Sequence, residues 1–164
     1  MTRGLLLIAA LALSGCCTSP ACLPEALPHQ GKPADSAQLF DLIQYAARHD
    51  CCEQLYTQLT TATREEYSSF EFCLYWESIE LPEYEYLLVD VVTGGQLLGA
   101  FPGNEPGEEF LFVEFEEPGR ENLLARILLK HESDESGKVR PYLAMQEQRA
   151  HIDAGHPGYH WDGK

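Results

Sequence analysis

Residues 122–131 read NLLARILLKH, a run whose Leu, Ala, Arg and Lys content by itself suits a helix. The residues C-terminal to it decide otherwise. Residues 133–138 (SDESGK) collect turn-forming types, and 139–149 (VRPYLAMQEQR) reads as a returning partner. The run 122–131 is therefore expected to be a strand of an antiparallel hairpin. Working back, 108–116 (EEFLFVEFE) is a further strand, closed by Pro118-Gly119 and preceded by the loop 102–107 with its two prolines and two glycines. Residues 84–92 (YEYLLVDVV) have the same aromatic and β-branched character. Gly94-Gly95 offers the positive φ of a tight hairpin, and 96–101 returns. About five strands are expected from residue 84 onward.

Upstream of Pro82 the apolar period is 3.6 rather than 2. Asp35 with Gln38 suits a capping box, and Leu39, Leu42, Ile43 and Ala46 then recur at i, i+3, i+4, i+7. Asp50 with Glu53 opens a second helix carrying Cys52, Leu55, Tyr56 and Leu59. Thr63 with Glu66 opens a third, expected to run to about residue 79. It is apolar over a wide arc, with Tyr67, Phe70, Cys73 and Leu74 on one side and Phe72, Trp76 and Ile79 on another, as in a helix packed between two layers. Helices segregated from strands give an α+β class: three N-terminal helices on one face of a bent antiparallel sheet.

The N-terminus has the form of an export signal: Arg3, ten apolar or glycine residues at 4–13, then small residues before a cysteine. The apolar run is about half the roughly 20 residues a membrane span requires. Leu13-Ser14-Gly15-Cys16 resembles the lipobox of bacterial lipoproteins. That resemblance implies removal of 1–15, lipidation at Cys16, and an exported protein anchored in the bacterial cell membrane or outer membrane. A soluble secreted protein cut near Ala12 is the competing reading. Residues 16–34, with prolines at 20, 24, 28 and 33, read as an extended lipidated tether, 35–150 as the domain, and the glycine-rich 151–164 as a tail.

The chain carries 11 Lys and Arg against 26 Asp and Glu, a net charge of −15; loss of Arg3 with the signal makes the mature chain −16. Such a surface is repelled by nucleic-acid phosphates and by anionic lipid headgroups. Nucleic-acid partners are excluded, and membrane attachment falls to the acyl chains.

Over residues 35–150, the order of elements and the closing hairpin LLARILLKHE…KVRPYLAMQEQR resemble the NTF2-like (SnoaL-like) superfamily. The resemblance implies a cone-shaped, cystatin-like fold with a pocket between helices and sheet. In its enzymes a His–Asp pair or a lone Asp in that pocket often acts as acid or base.

Cysteines 17, 22, 51, 52 and 73 follow Cys16, an odd number, so at least one stays free or pairs between chains. Cys52 and Cys73 fall on apolar faces of successive helices. A disulfide from Cys51 or Cys52 to Cys73, buried thiols, and a metal held with His49 and Asp50 are the three readings, with the disulfide favoured. His151, His156 and His160 beside Asp153 and Asp162 lie in a segment without fixed geometry, and no metal or other cofactor is assigned. Phosphate-binding loops, nucleophile elbows and zinc-protease motifs are absent from the sequence. On 108–116, Phe110, Phe112, Glu114 and Glu116 share one face and Leu111, Val113 and Phe115 the other. The favoured function is a non-catalytic domain that binds a small apolar ligand or an envelope protein. The alternative is a pocket enzyme, isomerase- or hydrolase-like, using Asp90, Glu114 or His131 as general acid or base.

Overall fold

Asp35 caps the first helix as its spacing demands: its carboxylate accepts from the Gln38 amide, and α1 runs Ser36–Arg48 with Leu39, Phe40, Leu42, Ile43 and Ala46 buried. The computed structural model describes residues 19–81, 86–116, 123–145, 147 and 148. Cys16, Cys17, Gln146 and the tail histidines lie outside them, as do all of 1–15 and 151–164. After α1 come α2 (Cys52–Thr57), α3 (Thr61–Glu66), α4 (Ser69–Tyr75) and α5 (Leu88–Gly94). The strands β1 (Gln96–Pro102), β2 (Glu108–Phe115), β3 (Leu123–Ser133) and β4 (Val139–Leu143) then form an antiparallel sheet in the order 1-2-3-4. The class is α+β. Among the described residues no helix is long and apolar enough to cross a membrane.

Upstream of residue 82, three local outcomes depart from the sequence reading. The third helix, expected from Thr63 to about 79, is two helices and a 3₁₀ turn at Trp76–Ser78. Thr60, not Thr63, caps α3 by accepting the Thr63 amide. Ser68 and Glu71 then form a reciprocal capping box that starts α4 afresh, with Tyr67 left extended between the helices. Asp50 likewise is not a cap: it adopts φ 55°, and Cys51 stands at the start of α2.

The stretch 84–92, expected as a strand, contributes α5 instead, so the sheet has four strands rather than about five; 82–85 lie outside the described residues. Leu88, Val91 and Val92 stand at i, i+3, i+4 and are buried, which outweighs the strand preference of valine, a weak local term. Side chains of α1 receive the last carbonyls: Gln44 Nε2 donates to Val92 O at 2.8 Å and to Gly95 O at 3.0 Å, and Arg48 donates to Thr93 O. Gly95 has φ −83°, so it serves no left-handed turn. A Cβ there would stand 2.2 Å from Val91 O and 2.3 Å from Val113 Cγ1, so glycine lets α5 end against β2. The expected return strand 139–149 stops at Leu143.

One sheet face carries Leu111, Val113, Phe115, Ala125, Ile127 and Leu129, packed with α1 and α5 in the main core. Phe110, Leu128 and Ala144, with Phe112 against them, form a separate cluster. The helical half attaches at the β4 edge, where Thr60 N donates to Leu143 O and Leu143 N to Gln58 O. Two disulfides complete the body: Cys22–Cys51 and Cys52–Cys73. The segment expected as tether thus carries a covalent staple at Cys22, short turns at Pro20–Cys22 and Pro28–Gly31, and a buried Leu27.

Candidate ligand cavity

The capping box that restarts α4 sets where the helix points. Glu71 Oε2 accepts from the Ser68 amide at 3.0 Å and from its hydroxyl at 2.6 Å, while Ser68 Oγ accepts from the Glu71 amide at 3.2 Å. The Ser68 hydroxyl, and then its amide, hold the Glu71 carboxyl below its ordinary pKa, so it is an anion at neutral pH. Only Phe72 of α4 is buried. The Cys52–Cys73 bridge ties α4 to α2, and Tyr56 of α2 donates its hydroxyl to Tyr67 O at 2.9 Å in the link before α4. Beyond the 3₁₀ turn the chain closes on itself: Leu81 N donates to Tyr86 O, and Leu88 N to Ile79 O.

These elements stand off the sheet and enclose a cavity of about 370 Å³. Its walls include Phe72, Ile79, Leu81 and Leu88 from the helical side and Ile127 and Met145 from the sheet side, while the exposed Tyr67, Tyr75, Glu71 and Glu80 mark its mouth. The buried polar liners are engaged within the protein. Thr63 Oγ1 lies 2.9 Å from Thr60 Oγ1. Gln148, 3 % exposed, accepts from Leu128 N at 3.0 Å and donates to Arg126 O at 3.2 Å. Its amide replaces a peptide unit along the part of β3 that β4 no longer reaches. A cavity of this size with apolar walls and few polar groups has the form of a small-molecule site. Its described lining residues include no cysteine and no histidine.

The three candidate acid–base residues do not meet there. Asp90 is exposed in the first turn of α5 rather than on a strand. Glu114 alternates with Leu111 and Val113 and so lies on the sheet face away from the cavity. Of the two faces of β2, the one carrying Leu111 fronts the cavity through its cross-strand partner Ile127, not the one carrying Phe110, Phe112 and Glu114. His131 stands near the end of β3, with Nε2 3.2 Å from Glu109 Oε2. Glu109 also accepts from the Ser36 hydroxyl at the start of α1. This Ser36–Glu109–His131 set was not visible in the sequence. The carboxylate sits between hydroxyl and imidazole, so the serine proton faces Glu109 and the His131 imidazole is not placed to take it, unlike the order of a serine–histidine–acid triad.

A second, polar groove of about 650 Å³ lies beside the β3–β4 turn and is lined by Lys32, Arg64, Glu132, Asp134 and Arg140, among others. Arg140 pairs with Asp134 and donates to the Lys32 and Pro33 carbonyls, and Thr61 donates to Glu132. Those groups fasten the 31–33 segment and the start of α3 to the hairpin. Cysteines 51, 52 and 73, weighed as soft metal ligands, are engaged in disulfides, and no group of three metal-ligating side chains occurs among the described residues. The chain matches no family model, no curated protein and no solved structure.

Proposed function

We propose that this chain is an exported protein, lipidated at Cys16 and anchored in the bacterial cell envelope, whose α+β domain binds a small apolar ligand without converting it. The observation that carries the ligand reading is the 370 Å³ apolar cavity, whose lining includes none of Asp90, Glu114 and His131. Helices followed by an antiparallel sheet, with a cavity between them, also support the NTF2-like resemblance. The Leu13-Ser14-Gly15-Cys16 run supports the anchor, since a chain with a net charge of −15 is not held on an anionic bilayer by its own surface.

The cavity is tested with the full chain bearing Cys16→Ser and Cys17→Ser, so that neither acyl chain nor detergent competes for the site. Titration with a neutral solvatochromic dye is expected to saturate, and Met145→Trp, which fills the cavity, is expected to abolish the signal. Equal dye binding by the filled variant refutes the assignment. The anchor is tested by membrane partitioning: the parent chain is expected in the membrane fraction and the double cysteine variant outside it. Both cysteines are replaced because Cys17 offers a shifted site.

A further inference from the structure

Large apolar side chains crowd the outer side of α4. Phe70 is 76 % exposed, Tyr75 61 %, Leu74 59 % and Tyr67 43 %. Phe70 and Leu74 are four residues apart on the helix and adjoin on one face. Tyr67, in the link before α4, and Tyr75, at the end of α4, are exposed as well and also line the cavity, so exposed apolar side chains stand both on the helix and at the cavity mouth. Exposed apolar surface of this kind marks interaction sites.

Charge identifies what covers it. Between Arg64 and Arg120 the chain has fourteen Asp and Glu and no Lys, Arg or His. Glu65, Glu66, Glu71 and Glu77 are exposed on and beside α4, and Glu80 is exposed at the cavity. A second copy would bring the same acids against this face, and an anionic bilayer would bring phosphates; both are repelled. A cationic chain with an apolar side chain meets both features at once.

We propose that α4 and the cavity behind it form one docking surface for a basic polypeptide segment, whose cations lie among the glutamates and whose apolar side chain enters the cavity between Tyr67 and Tyr75. The proposal rests on the reading of the cavity as an apolar ligand site, and dye binding reports that reading separately.

The test uses the full chain with Cys16→Ser and Cys17→Ser, and a short fluorescent peptide in which lysines flank a central Phe-Leu pair. Saturable binding is expected, weakened by salt and accompanied by dye displacement. Replacing Phe-Leu by Ser-Ser in the peptide, or Phe70 and Leu74 by serine in the protein, is expected to weaken binding about tenfold or more, since buried anchors dominate such interfaces. Both protein sites are exposed, so Phe70→Ser/Leu74→Ser is expected to keep the fold, read by circular dichroism. Equal affinity for the Ser-Ser peptide overturns the proposal, because charge alone then explains binding. Equal affinity of the Phe70→Ser/Leu74→Ser protein, or peptide binding that leaves the dye in place, also overturns it. Dye binding without peptide binding overturns the docking surface and leaves the cavity reading standing. Loss of dye binding itself removes both. Binding to neutral phosphatidylcholine vesicles that requires Phe70 and Leu74, with no peptide binding, overturns it in favour of a bilayer.

Discussion

Replacing Cys52 and Cys73 together by serine removes the bridge between α2 and α4, and the cost has two origins. The bridge closes a loop with a sequence separation of 21. Restricting the unfolded chain by a loop of that length contributes about 3.4 kcal/mol at 25 °C. On the native side, α4 has seven residues and one buried side chain, Phe72. A helix that short does not persist by propensity, so packing and the bridge hold it. A loss of about 3 kcal/mol is expected, a large share of the roughly 5–15 kcal/mol that stabilises an ordinary domain. Urea unfolding monitored by far-UV circular dichroism and by the fluorescence of the buried Trp76 measures it. Native-state hydrogen exchange locates it: the α4 amides are expected to exchange far faster while the β2–β3 amides track the global stability. Cys22→Ser with Cys51→Ser, at a separation of 29, is the matched control; it is expected to lower global stability by a similar amount, about 3.6 kcal/mol, without singling out α4. A midpoint shift equivalent to less than about 0.5 kcal/mol, within ordinary surface effects, would refute the reasoning. So would alkylation of cysteines 52 and 73 in denatured protein without reductant.

Gln148→Leu keeps the volume but leaves the buried Leu128 amide without its acceptor; a loss of about 1–3 kcal/mol is expected in thermal melts. Gly95→Ala pushes a Cβ into Val91 O and Val113 and is expected to cost about 1–3 kcal/mol, whereas Gly94→Ala, with no atom within 4 Å of the new Cβ, is expected to be neutral or slightly stabilising. Asp134 is held well below its ordinary carboxyl range by the Ser136 hydroxyl and then the Arg140 guanidinium. A depressed carboxyl contributes stability that is complete above the unfolded value near 3.8 and is lost as pH falls through the lower folded value. Asp134→Asn is therefore expected to lower the Tm at pH 7, and the gap from the parent is expected to close only in strong acid; a gap unchanged in acid sinks the assignment. With Cys16 lipidated, Cys22→Ser/Cys51→Ser is expected to let the domain move farther from the bilayer, read as weaker energy transfer from Trp76 to a lipid-borne acceptor.

Local signals were legible where a single constraint acted. Asp35, Gln38 and the apolar spacing after them specify α1, and the turn residues before β4 turn a helix-prone run into β3. Competition defeated the reading elsewhere. The Ser68–Glu71 pair is a start signal inside an apolar run that suits one continuous helix, so the run breaks in two. The valines of α5 suit a strand until Gln44 and Arg48, more than forty residues away, take up the carbonyls at its end. The cavity is less legible still, because Thr63, Ile127 and Gln148 meet only through tertiary packing. His131 and Glu109 are joined by strand register, which sets Glu109 opposite Leu129, and no spacing in the sequence reports that.

The adjacent cysteines explain why the segment from Cys22 to residue 34 is not the extended linker that its prolines suggest. A cysteine forms one disulfide, so Cys51 and Cys52 engage two different partners. One reaches back to Cys22 and the other forward to Cys73, giving a covalent path from the N-terminal segment through α2 to α4. Proline spacing predicts an extended linker to residue 34. Beyond Cys22, however, Leu27 is buried, Gln58 donates to Gly31 O, and Arg140 holds the Lys32 and Pro33 carbonyls. On the proposed lipidation, only the chain from Cys16 to Cys22 is left to span from acyl group to folded body. Six residue steps reach at most about 20 Å. A domain held that close to an anionic surface, and repelled by it, is driven to keep its acidic faces turned away from the lipid. The glutamates around α4 are among them, so the same charge that selects a basic partner also turns the α4 face away from the bilayer.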